Sequence, residues 1–151
     1  NEGHRKIAVA LQEMWKDYLN VDIKLLNQEW KGYLATESAG DYQISRGGWI
    51  GDYVDPNNFL DMFLCGGGNN RTGWCNEEYD RLILEVAPSQ SSHEERLAVF
   101  QQAETMLLDD MPIIPVYTYT SVKLVDSSVE NLDGNIMNQA MYKDIYLSPR
   151  Q

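Results

Sequence analysis

The residues best able to do chemistry lie in one short run, Arg46-Gly47-Gly48-Trp49-Ile50-Gly51-Asp52-Tyr53-Val54-Asp55-Pro56. A guanidinium, an indole and a carboxylate fall within the seven residues from Arg46 to Asp52, on a stretch whose glycines keep the backbone open. Charged side chains at the end of a strand, beside glycine and an exposed aromatic, are suited to gripping a small zwitterion. The same residues also fit a plainer arrangement, a strand-to-helix corner with Trp49 buried and a surface ion pair. A third reading pairs Asp52 with Asp55 as the two carboxylates of a hydrolase, but three-residue spacing across a turn leaves their separation open.

The elements around this run follow from periodicity. Tyr42, Ile44 and Arg46 alternate with Gln43 and Ser45, which predicts a strand from Tyr42 to Gly47. Asp55-Pro56 predicts a helix start, with Phe59, Leu60 and Phe63 marking the helix. Upstream, Ile7, Leu11, Met14, Trp15 and Tyr18 share one helical face. Val21, Ile23 and Leu25 then read as a half-buried strand, and Trp30 to Thr36 as a short helix ended by Ala39-Gly40-Asp41. Downstream, Asn76 caps a helix carrying Tyr79, Leu82, Ile83 and Val86. Ser92 and Glu95 have capping-box spacing before Leu97, Phe100, Ala103 and Leu107, and Asp109-Asp110-Met111-Pro112 stops that helix. Ile113 to Tyr119 reads as a strand pushed to an edge by its two prolines, Ser121 to Val125 as extended, and Ile145 to Leu147 as a last short strand. Helices alternating with strands predict an α/β layered fold.

Composition narrows the functions. At 151 residues the chain has the mass of one domain, and its net charge is −11, from 12 basic and 23 acidic residues. Too few cations remain to replace the counterions of a phosphate backbone, which argues against nucleic acid. No apolar run approaches a membrane span. The opening Asn1-Glu2-Gly3 runs straight into a helical pattern, so a fragment or processed product is expected. His4 and His93 sit at helix starts without companions at ligand spacing, so no metal site is expected, nor any cofactor, since phosphate-binding and dinucleotide motifs are missing. Cys65 and Cys75 flank a glycine-rich loop at a spacing unlike redox or zinc motifs, which favours a disulfide and an oxidising compartment, with two buried thiols as the other reading. Asn70-Arg71-Thr72 matches a glycosylation acceptor, a tripeptide frequent by chance.

Taken in order, the helix to Leu19, Val21-Asp22-Ile23-Lys24-Leu25, Asn27-Gln28-Glu29-Trp30, Gly48-Trp49-Ile50-Gly51-Asp52-Tyr53-Val54-Asp55-Pro56, Asn70-Arg71-Thr72-Gly73-Trp74 and Met111-Pro112-Ile113-Ile114-Pro115-Val116-Tyr117-Thr118-Tyr119 resemble the C-terminal part of extracytoplasmic oligopeptide-binding proteins. These are the family 5 substrate-binding components of peptide ABC importers. The resemblance implies a two-lobed receptor that closes on an extended peptide. Residues 1–119 would form most of the second lobe, incomplete at its N-terminus, and residues 120–151 would return to the first lobe. Asp52 then matches the carboxylate that pairs with the peptide α-amino group, and Trp49, with Ile50 and the backbone beside them, matches the pocket lining. Arg46 matches a cation facing the ligand's carboxylate end or side chains, and Tyr119 a hydrogen-bonding tyrosine near the hinge. Where relatives carry a second arginine before this strand, the chain has Glu37. The implied partners are an oligopeptide, the ABC permease subunits and the missing N-terminal lobe. The implied location is extracytoplasmic, as a cell-surface lipoprotein or a periplasmic protein. Receptors of the same fold for dipeptides, nickel chelates or signalling peptides are the neighbouring alternatives.

Overall fold

The apolar spacing from Ile7 to Tyr18 forms a helix, α1 (Glu2–Leu19), with Glu2 at its positive end and Lys16 in its last turn. Residues 2–132, 135 and 137–149 are described by the structure, a computed structural model. The chain divides into two compact units, Asn1–Gln43 and Ile44–Gln151.

In the first unit α1 ends on Asn20, whose φ of 54° is a left-handed conformation that asparagine tolerates. Reversing there, the chain folds back along the helix: Gln12 Nε2 donates to the Ile23 carbonyl at 2.8 Å and Lys16 Nζ to Asp22 at 2.8 Å. The second helix, α2 (Trp30–Ala39), starts at Glu29, whose carboxylate accepts from the Lys31 and Gly32 amides at 3.0 and 3.3 Å. It ends at Gly40, with φ 68°, the position a glycine cap requires.

The second unit holds the core. Asn57–Leu60 form α3, followed by a 3₁₀ turn over Asp61–Phe63. Asn76 caps α4 (Glu77–Arg81) through its side chain, which runs on through a π-helical turn at Leu82–Val86 and a 3₁₀ turn at Ala87–Ser89. The Ser92–Glu95 capping box opens α5 (His93–Asp110), and Met111 closes it at φ 51°. Leu60, Phe63, Tyr79, Leu82, Ile83, Ala87, Phe100, Ala103 and Leu107 pack together as the buried cluster. Each of the larger aliphatic and aromatic side chains there contributes about 1.5–3 kcal/mol by leaving water. Tyr79 is completely buried, donates its hydroxyl to the Leu60 carbonyl at 2.6 Å and meets Trp74 edge-on at 4.9 Å.

The glycine-rich loop is pinned by several devices. Cys65 and Cys75 are joined by a disulfide, with Cα atoms 4.6 Å apart. Asn70 donates to the carbonyls of Phe63, Leu64 and Trp74 at 3.1, 3.0 and 2.9 Å and accepts from the Thr72 amide and hydroxyl. An amide nitrogen engaged in this way is unavailable to a glycosyl group, so the tripeptide at Asn70 serves as a loop hub.

The strands differ from expectation. Among the described residues the only ladder joins β1 (Val129–Glu130) to β2 (Tyr146–Leu147), antiparallel, with Val129 opposite Leu147 and Glu130 opposite Tyr146. The runs at Val21–Leu25, Tyr42–Gly47, Ile113–Tyr119 and Ser121–Val125 are neither helix nor ladder. Alternation encodes which faces are apolar, whereas a strand exists only with a partner to receive its amides and carbonyls. Val122 and Leu124 are correspondingly 90% and 102% exposed.

Candidate functional site

The corner after residue 44 is built from the helix that follows it. Asp55 accepts the Asn57 amide at 2.9 Å, and Pro56 already has helical dihedrals, so Asp55 performs the capping that its position before proline predicts. Asp55 is also clamped by Arg96 of α5, through Nη1 at 2.7 Å and Nη2 at 2.9 Å. Those hydrogen bonds hold the Asp55 carboxyl below the usual carboxylate range, against a smaller opposing effect of burial. A carboxylate fixed in this way is the wrong group for a general acid.

Trp49 is half-buried, and its indole Nε1 donates at 2.8 Å to Asn58, the one polar side chain in the buried set of the described residues. Asn58 in turn donates to the Tyr53 carbonyl at 3.4 Å. The indole is thereby fixed in rotation by a buried acceptor, between the plain corner, where it would be fully covered, and a wholly exposed platform. Ile50 is 84% exposed and Asp52 is exposed. The glycine before Asp52 is not open ground: a Cβ on Gly51 would lie 3.0 Å from the Phe59 ring. That glycine lets an aromatic of α3 pack against the back of the corner.

Across 73 residues of sequence, an Arg46 guanidinium nitrogen donates to the Tyr119 hydroxyl. Gly48 lies against this pair, since a Cβ there would be 3.3 Å from Arg46 Nη2 and 3.7 Å from the Tyr119 ring and hydroxyl. Tyr117 meets Tyr119 edge-on at 4.9 Å. A hydrogen bond to Tyr119, helped by desolvation, raises the Tyr117 phenol above its ordinary value, and the Arg46 charge opposes this. Thus Arg46 and Tyr119 meet directly, and Trp49, Ile50 and Asp52 belong to the same corner. Cys65 and Cys75 serve the loop of the core.

Sequence reasoning passed over Asn58, Arg96 and Tyr117. An asparagine in a helix turn otherwise carrying Phe59, Leu60 and Phe63 was the available sign for Asn58; Arg96 gave none, because its partner is 41 residues away. A groove of about 340 Å³ lined by Gln12, Lys16, Asp22 and neighbouring residues belongs to the first unit and contains none of these residues; its Lys16 and Asp22 are paired with each other. Among the described residues no group of three or more His, Cys, Asp or Glu is arranged to hold a metal ion.

Comparison with known proteins gives a consistent result. Residues 1–71 match the family described as bacterial extracellular solute-binding proteins, family 5 Middle. The chain is 44% identical over 138 residues to the oligopeptide-binding protein OppA of Bacillus subtilis, covering 91% of this chain and 25% of that one. Its fold matches the murein tripeptide-binding protein MppA of Escherichia coli with a TM-score of 0.83 at 33% identity, over 99% of this chain and 30% of that one. It matches Haemophilus influenzae OppA in complex with the peptide RPPGFSPFR with a TM-score of 0.82 at 33% identity, over 97% and 29%. The chain therefore spans between a quarter and a third of the length of these relatives. The likeness covers the runs that lack a ladder here, and the α/β class expected from the sequence is that of these neighbours, of which the chain matches part of a lobe.

Proposed function

The chain corresponds to a C-terminal part of a family 5 extracellular solute-binding protein, and we propose that the whole protein captures oligopeptides outside the cytoplasm and delivers them to the permease of an ABC importer. The observation that carries this reading is the meeting of Arg46 with Tyr119 beside Gly48, which joins the two motifs of the resemblance into one polar corner. Asp52 is the anchor for the peptide α-amino group, since an ammonium leaving water needs a paired carboxylate. Trp49, held by Asn58, and Ile50 line the pocket; Arg46 faces the carboxylate end of the ligand, and Tyr119 hydrogen-bonds the peptide. In this reading residues 1–119 belong to the second lobe and 120–151 return to the first, so the ligand is enclosed only when both lobes are present. The protein acts by closure over its ligand, and the capping and ion-paired state of Asp55 favours a scaffolding role for that carboxylate.

Mass spectrometry of the material released on denaturing the freshly purified full-length protein tests the proposal. Short peptides of mixed sequence, near one per protein molecule, are expected. A single non-peptide solute in that amount contradicts it.

A further inference from the structure

We infer that Tyr117 is a positioning residue for the peptide site: its ring holds Tyr119 where Arg46 meets it. The inference rests on the reading above that Arg46 and Tyr119 face the ligand. Its own support is geometric. The Tyr117 and Tyr119 rings stand edge to face, 4.9 Å between centroids at 68°, so the edge of one ring limits the swing of the other. Arg46, which has only donors, gives an N–H to the Tyr119 oxygen. Tyr117, Tyr119 and Arg46 thus form one connected unit drawn from two distant segments. Gly48 lies beside that unit, where a Cβ would come within 3.3 Å of the Arg46 nitrogen.

A half-exposed tyrosine has two soft torsions, and each hydroxyl orientation it samples away from the ligand costs affinity. Tyr117 removes that freedom in advance. It need touch no part of the peptide, and a contact search of a bound complex would pass over it.

The test is a double-mutant cycle in the full-length receptor, with alanine peptides of two to five residues as probes and calorimetry as the readout. Tyr117→Leu removes the ring edge and keeps an apolar side chain. It should weaken binding of the tightest of these peptides about fivefold, the worth of one aromatic pair, with the melting temperature essentially unchanged. Tyr119→Phe should weaken binding at least as much, and adding Tyr117→Leu to it should cause no further loss, because the first residue acts only through the placing of the second residue's hydroxyl. Wild-type affinity in Tyr117→Leu, or the same loss in both backgrounds, overturns the inference while leaving peptide capture intact. If the wild-type receptor binds none of the peptides, the reading of the site fails and the inference falls with it.

Discussion

Arg96 grips both oxygens of Asp55, at 2.7 and 2.9 Å, while its guanidinium carbon lies 4.5 Å over the centre of the Phe100 ring. This one contact ties the corner that carries Trp49 and Asp52 to the longest helix of the core. It also gives the acidic residue before the proline a scaffolding role.

The ion pair should make stability depend on pH. The Asp55 carboxyl titrates lower in the folded protein than in the unfolded chain, so its contribution is fully present above about pH 4 and is lost as the pH falls through the lowered folded value. Arg96→Met should cost about 1 kcal/mol at pH 7, seen as a drop in melting temperature of the full-length protein. As the pH falls below about 4 and through the lowered folded value, the gap between variant and wild type should shrink. A gap of constant size across that range would mean that Arg96 acts through its packing on Phe100 alone.

Asn70 offers a second check. Asn70→Asp replaces a donor to three carbonyls by a carboxylate that repels them, a loss of about 2–4 kcal/mol of local stability. The expected sign is faster reduction of the Cys65–Cys75 disulfide by dithiothreitol than in wild type. Equal reduction rates would show that the disulfide alone holds the loop.

The isolated chain of 151 residues should bind peptide with no useful affinity, because a site enclosed between two lobes needs both walls. With Ile114, Val116, Val122 and Leu124 all more than half exposed, it should also self-associate. Micromolar binding of a peptide to this chain in calorimetry would contradict the two-lobed account.

The helices were legible because their signals are local. The Ser92–Glu95 capping box, Asn76 and the glycine at position 40 each specify a terminus within a few residues, and Phe100, Ala103 and Leu107 lie on the buried side as their spacing requires. Met14 and Tyr18 share that kind of spacing on α1, yet they are 53% and 82% exposed. The runs at Val21–Leu25 and Ile113–Tyr119 showed the right pattern and formed no ladder here, since the pattern carries no information on where a partner strand lies. In the site, Arg46 stood out as the cation of its run, whereas Tyr119 entered only through family resemblance. Arg96 acts through a contact 41 residues away that no local pattern announces.

The central claim is that Asp52 receives the peptide amine. Breaking a desolvated ammonium–carboxylate pair from one side costs roughly 3–5 kcal/mol, so Asp52→Ala should weaken binding by about two to three orders of magnitude. The most direct measurement leaves the protein untouched and compares free-amine with N-acetylated forms of one peptide, by calorimetry on the full-length receptor. The account predicts that acetylation weakens binding to wild type to a comparable degree, and that the Asp52→Ala receptor no longer distinguishes the two forms. Equal affinity of wild type for both would contradict it and return Asp52 to a structural role in the turn.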